Sequence, residues 1–138
     1  MYQGAGILFL KKINGQIYIS LGKRTINPQK GFWSIPGGKM SHSDNRDFLL
    51  CAWRETKEEY FHKRPDEFSR ISNINYIKES RFTVPFIFEY RTFLVDLSDI
   101  DIKFYHNWEF SLVDWFELRN LPEKTHPGVR YSLQMFGL

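Results

Sequence analysis

SIPGGKM at Ser34–Met40 and RETKEEY at Arg54–Tyr60 are the two stretches whose reading decides the fold. From Asp47 the pattern is helical: Leu49, Trp53, Thr56 and Tyr60 recur at i, i+4, i+7 and i+11, one face of an α-helix. Asp47 suits the N-cap, and Pro65 is a stop beyond the end. On such a helix Glu55, Glu58 and Glu59 stand at i, i+3 and i+4 and share a face, with Arg54 on its flank. Like charges at that spacing repel by about 0.2–0.5 kcal/mol per pair. Glu58 and Glu59 also fall in the last turn, where the helix dipole prefers cations. Local stability alone would place Lys or Arg there. A hard divalent cation, which takes oxygen ligands and keeps several waters, would gain from the concentrated charge. The plain alternative is a solvated acidic face offset by Lys57, Lys63 and Arg64, and an isolated E-x-x-E-E favours that alternative. The glycines shift the balance. Gly37-Gly38 follow Pro36 in a turn that lets backbone approach a ligand closely, and Lys39 beside them offers a point charge for phosphate.

Outward from this pair of stretches, the elements are mostly strands. Ile7–Lys11 and Ile17–Gly22 are β-rich runs joined across Asn14-Gly15, a strong hairpin signal. RTINPQKGFW reads as a polar loop, FWSIP as a short extended piece, and Met40–Arg46 as loop. Ile71–Lys78 and a longer run, Val84–Val95, are rich in strand formers, Ser111–Phe116 adds a short strand, and Val129–Phe136 suits a closing helix. Strands first and last around one strong helix give an α+β layout with a mixed sheet, not a regular βαβ series.

Composition narrows the class. A chain of 138 residues without repeats or low-complexity linkers is expected to form a single domain over 1–138. The net charge of +3 does not by itself point to nucleic acid. One cysteine, Cys51, excludes an internal disulfide and a cysteine zinc cluster. No apolar run approaches membrane-spanning length, and the N-terminus has no basic region before its apolar stretch, so a cytoplasmic protein is expected. The aromatic share of 17% is read as core built from rings on strands.

Together the glycine turn and the acids resemble the Nudix box, a glycine, a glutamate and then R-E-x-x-E-E in a loop–helix–loop. Gly38 stands as the box glycine, Arg54, Glu55, Glu58 and Glu59 as its core, and Thr56 at its aliphatic position. GAGILFL, GFWSIPGGK and VDWFELRNLP look like the neighbouring strands and the W-F-x-L-x-x-L-P stretch of that family, so the resemblance runs from Gly4 to about Gly128. It implies a mixed β-sheet sandwiched by helices. Three departures stand out. Asp44 replaces the first glutamate, the interval from it to Arg54 is two residues longer than usual, and Phe61 replaces the closing glycine. Phe tolerates positive φ poorly, so the helix is expected to run on toward Pro65.

By the same resemblance Glu55, Glu58, Glu59 and the Gly37 carbonyl are metal ligands, for Mg²⁺ with Mn²⁺ the alternative. Arg54 orients the glutamates, and Lys39 contacts phosphate or neutralises an acid. Glu109, six residues before Trp115, stands where relatives often carry a glutamate facing the metal; a surface glutamate at a strand start is the competing reading. Glu58 is the first choice for the general base and Glu109 the second. Arg24 and Trp33 flank the loop into the box and are taken as substrate contacts. Phe86, Phe88 and Tyr90 alternate on one strand and are expected in the core. Asp114 and the four histidines, His42, His62, His106 and His126, read as surface or loop.

The function implied is Mg²⁺-dependent hydrolysis of the diphosphate in a nucleoside diphosphate derivative, the partner being a small-molecule nucleotide. The alternative is a binding module of the same fold without turnover, holding a nucleotide or a capped RNA end, the one nucleic acid expected. A diphosphate isomerase is a third class that no residue favours. Monomer and homodimer are both left open.

Overall fold

A computed structural model describes residues 1–138. Strand β1 (Tyr2–Ile13) turns into β2 (Gln16–Arg24) through Asn14 and Gly15, both at positive φ, 51° and 78°. That left-handed pair matches the strands' twist. The hairpin pairs only from Leu10–Ile13 to Gln16–Ile19, after which the two strands part. Two short strands fill the wedge. Residues Gly37–Lys39 form β4 on the freed edge of β1, and β3 (Trp33–Ser34) lies on that of β2. This divergence brings the glycine turn to the middle of the sheet.

Three further strands complete a mixed seven-stranded sheet. The first, β5 (Lys78–Val84), is antiparallel to β6 (Phe88–Asp96), which itself runs parallel to β1 from Tyr2 to Leu10. The last, β7 (Phe110–Glu117), pairs with the outer edge of β2. Because β1 is central, both its faces are buried, which explains the unbroken apolar run GAGILFL. Alternation sends Ala5, Ile7 and Phe9 to one face and Leu8 and Leu10 to the other. The first face is covered by α1 (Phe48–Tyr60) through Phe48, Cys51, Ala52 and Tyr60; the second by α3 (Pro127–Met135) through Val129 and Leu133. The sheet is therefore sandwiched by helices, as the resemblance implies. Burying each large side chain contributes about 1.5–3 kcal/mol. No helix is long and apolar enough to cross a membrane.

Helix α1 begins where its cap predicts: Asp47 Oδ1 accepts from the N–H groups of Leu49 and Leu50 at 2.9 and 3.2 Å. Thr56, at an aliphatic position of the box, donates its hydroxyl to the Ala52 carbonyl at 2.7 Å and so stays buried without an orphaned group.

Several expectations are corrected. The helix ends at Tyr60 instead of running on, because Phe61 (φ −129°, ψ 40°) leaves the helical region, and the left-handed residue comes at Lys63 (φ 58°). Pro65 opens a short helix, α2 (Pro65–Ser69). The strand expected over Ile71–Lys78 begins only at Lys78, because Ile71 and Ile74 pack against the α1 side of the core from an irregular segment. The long strand expected over Val84–Val95 is a hairpin, broken by a turn that places Phe86 at φ 65°. Phe86 is accordingly 94% exposed at the hairpin tip, not in the core.

Candidate active site

The geometry of the site follows from how α1 lies against β4. The helix faces β1 with Thr56 and Tyr60, so its three acids, one turn apart, are graded by rotation instead of sharing one environment. Glu59 is 2% exposed, Glu55 15% and Glu58 55%. The β4 backbone meets them. Gly37 N–H approaches Glu59 Oε1 at 3.4 Å, while the Pro36 carbonyl is taken by Ile7 N–H. Alternation along an antiparallel pair then points the Gly37 carbonyl outward with its N–H, toward the acids. Gly38 packs against Glu55 so tightly that a Cβ there would lie 2.6 Å from the Glu55 carboxyl carbon. The glycine pair is thus required by close approach, not by a left-handed turn.

Arg54 organises the rest. Its Nε and Nη2 donate to both oxygens of Asp44 at 2.9 and 3.0 Å. Nη2 also donates to the Lys39 carbonyl at 3.0 Å, and Nη1 to Glu55 at 3.0 Å and Glu58 at 3.4 Å. This bidentate pairing holds the Asp44 carboxyl down to about 2, against burial, which acts the other way. Asp44 ends a 3₁₀ turn, His42–Asp44, inside the segment expected as plain loop, and accepts from Ser41 N–H at 2.9 Å.

Glu109 reaches the acids from the other side of the wedge. The loop before β7 is pinned to the end of α1 by Asn107 N–H on the Glu59 carbonyl at 2.9 Å. It is pinned to the end of β2 by Thr25 Oγ1 on the Trp108 carbonyl at 2.6 Å. Glu109, Glu59 and Glu55 all face one cavity of about 730 Å³. Burial, then the Glu55 carboxyl beside it, then Glu109 push the pKa of Glu59 up; the Gly37 N–H pulls the other way. Burial and then Glu55 likewise raise Glu109.

The cavity also brings together residues read otherwise in the sequence. Phe88 and Tyr90, expected in the core, form its wall instead, because α3 covers only part of that sheet face. His126, read as surface or loop, lines it as the N-cap of α3, its Nδ1 accepting from Gly128 N–H at 2.8 Å. Arg24 lines it as well, with Nε on the Pro28 carbonyl at 3.0 Å. Trp33 does not; it packs edge-on against Phe116 at 4.9 Å. Lys39 has an exposed side chain off the cavity wall and contributes its carbonyl to Arg54. Glu58 stands outside the wall too, turned onto Arg54. Ser80, Thr92 and Ser132 were not singled out in the sequence; no local pattern marks them, since β5, β6 and α3 meet only in the fold.

No three acidic, histidine or cysteine side chains converge closely enough to chelate an ion alone. The donor set still fits a hard cation. It is all oxygen, crowded with mutually repelling carboxylates, and it suits an ion that completes its shell with water and substrate oxygens.

The family model of the NUDIX domain matches residues 2–136. The chain belongs to this family. Among solved structures it resembles an Ap4A hydrolase from C. elegans in a binary complex, at 18% identity and TM-score 0.68, each chain covered in full. A Nudix hydrolase from M. smegmatis, RenU, is similar over 99% of this chain and 83% of its own, at 17% identity and TM-score 0.75. A bifunctional NMN adenylyltransferase/ADP ribose pyrophosphatase from Francisella tularensis, complexed with AMP and a Mn ion, is matched over 98% of this chain and 41% of its own. Identity there is 15% and the TM-score 0.70. At such identities the likeness is one of fold. No curated protein sequence matches the chain.

Proposed function

We propose that the chain, acting as one domain, hydrolyses the diphosphate linkage of a nucleoside diphosphate derivative with Mg²⁺, or alternatively Mn²⁺, as cofactor. One observation carries this: Glu55 and Glu59 pack against the Gly37-Gly38 backbone and, with Glu109, face one cavity large enough for a nucleotide. Glu55, Glu59 and the Gly37 carbonyl would hold the ion, with Glu58 at the rim. Bound there, the ion would neutralise the diphosphate and lower the barrier to attack by water.

The protein's own groups do the remainder. Arg54 fixes Glu55 and β4, so the acids keep their positions when the substrate's charge arrives. Glu109 faces the cavity with its pKa raised, which suits a carboxylate that takes a proton from the attacking water. The water oxygen bonds to one phosphorus, the bridging P–O bond breaks, and the other phosphate leaves with that electron pair. Glu109 then returns the proton to solvent or to the leaving group. Arg24 lines the same cavity as Glu109 and would meet a phosphate oxygen there.

Purified protein with a nucleotide panel in Mg²⁺, Mn²⁺ and EDTA tests this directly. The expected result is ion-dependent release of a nucleoside monophosphate. Glu109→Gln should lower kcat by about 100-fold or more, and Glu58→Gln by less than about tenfold. Equal losses would reassign the base. Ion-dependent binding of nucleotide or of a capped RNA end, with no product, would mean a binding module. Two departures from the box favour that second reading, the longer loop and Phe61; Phe61 lies buried against Phe68 and Phe104.

A further inference from the structure

The cavity wall is poor in positive charge. Arg24 is its one guanidinium, and no lysine lines it: Lys30 follows Gln29 on the same loop without joining the wall, and Lys39, the last residue of β4, has its exposed side chain off the wall. Arg54 is spent on Asp44 and Glu55. His126 adds no cation, since its Nδ1 accepts a backbone N–H and burial together with Arg24 lowers its pKa. Ionised to hold a divalent ion, the three carboxylates against one guanidinium would carry an excess of two negative charges, which one such ion would only cancel.

Away from the acids the wall is uncharged and aromatic. Tyr2 and Phe88 stack at 5.1 Å and 7°, and Phe88 and Tyr90 at 6.3 Å and 12°. Phe82 meets Tyr131 edge-on at 5.2 Å. Beneath these rings lie hydroxyls, Thr92 and the pair Ser80–Ser132, whose oxygens are 2.9 Å apart. Rings of this kind take a base or an apolar sugar face, and hydroxyls take sugar oxygens. Neither offers a counter-charge to a further phosphate, and a desolvated charge without a partner is strongly disfavoured.

Resting on the hydrolase reading above, we propose that the substrate carries two phosphoryl groups in all, a nucleoside diphosphate joined to an uncharged, hydroxyl-bearing group such as a sugar. Its diphosphate lies between the acids and Arg24, and one uncharged end lies against the Phe88–Tyr90 wall. Nucleoside triphosphates and dinucleoside polyphosphates are disfavoured by charge, not by size.

The test is kcat/KM in saturating Mg²⁺ for ADP-ribose and ADP-, GDP- and UDP-sugars against ATP and diadenosine tetraphosphate. At least one two-phosphate compound should exceed both others by about 100-fold or more. ATP or the tetraphosphate within about tenfold of the best would overturn the inference while leaving the hydrolase reading standing. Absence of turnover on every compound would instead sink the hydrolase reading. Calorimetric affinities of the same compounds in Mg²⁺ would then decide the charge selection: tighter binding of a two-phosphate compound supports it, and tighter binding of ATP or the tetraphosphate refutes it. Gln29→Lys adds a cation to the wall at an exposed loop position. It should raise the ATP to ADP-ribose ratio about fivefold, in turnover or in affinity. An unmoved ratio in a folded variant counts against selection by charge.

Discussion

Asp44→Asn removes the charge that holds Arg54, and the geometry sets the size of the effect. Asp44 is 2% exposed and accepts from Arg54 Nε at 2.9 Å and Nη2 at 3.0 Å, while Ser41 N–H donates to it at 2.9 Å. Asparagine keeps one acceptor oxygen but turns an NH₂ toward a donor. Losing one charge-assisted hydrogen bond costs about 1.5–3 kcal/mol. Removing a partner from a fully buried pair can cost more, but Arg54 is 26% exposed and retains Glu55. The expected loss is about 2 kcal/mol. With an unfolding entropy of about 2.1 cal/mol/K per residue over 138 residues, Tm should fall by about 7 °C. The pH dependence supplies a control. The carboxyl titrates at about 2 when folded and near 3.8 when unfolded, so its stabilisation is complete above that ordinary value and is lost as pH falls through about 2. Urea unfolding at pH 7 and at steps down through the acid range should show the gap between wild type and variant closing. A difference below about 0.5 kcal/mol at pH 7, or a gap that stays constant into acid, would refute the role given to this pair. Turnover should drop as well, by about tenfold, because Glu55 loses a rigid neighbour.

Four other substitutions probe the site's parts. Gly38→Ala puts a Cβ 2.6 Å from the Glu55 carboxyl carbon, the movable end of a side chain, so Tm should change by less than about 3 °C while turnover falls more than about tenfold. Gly37→Ala meets backbone instead, the Ala5 carbonyl oxygen at 2.7 Å, and should cost much more stability. Glu59→Gln should abolish turnover yet, in EDTA at pH 8, be more stable to urea unfolding than wild type by at least about 1 kcal/mol. Burial and then Glu55 raise the folded pKa of Glu59 above its ordinary 4.5, so wild type loses stability as pH rises past that value, and the gap should close as pH falls back to it. Phe61→Gly, which restores the usual box residue, should lose about 3–5 kcal/mol by urea titration and gain no activity, since Phe61 is 1% exposed in the core.

What the sequence shows clearly here is local and periodic. Asn14-Gly15, the Asp47 cap and the apolar alternation of β1 each act over a few residues, and each appears as read. The three acids were placed on one face correctly in spacing but not in environment. Whether Glu59 or Glu58 is buried depends on how α1 is rotated against β1, which packing decides. The cavity wall escapes the sequence for the same reason. Phe88 and Tyr90 alternate like core residues, and only the shortness of α3 leaves them uncovered. Pro85 could have signalled the break in the run read as one strand, since a central strand seldom admits proline.

The departures from the family pattern bear on each other. A shorter acid at position 44 needs a closer backbone to reach Arg54, and the longer segment before α1 supplies one. Its 3₁₀ turn is capped by Ser41 and followed by Asn45 and Arg46, both left-handed at φ 51° and 60°. Length added in a loop costs little chain entropy, so the pair can be rebuilt in another geometry with both hydrogen bonds intact. Phe61 is compensated likewise: the chain reverses at Lys63, and the freed position is filled by a ring packed on Phe68 and Phe104. In both places the change lies behind the acids, on the side away from the cavity. The groups facing the cavity, Gly37, Gly38, Glu55 and Glu59, are those on which backbone contact and the proposed ion binding would make simultaneous demands, and none of them departs from the box pattern.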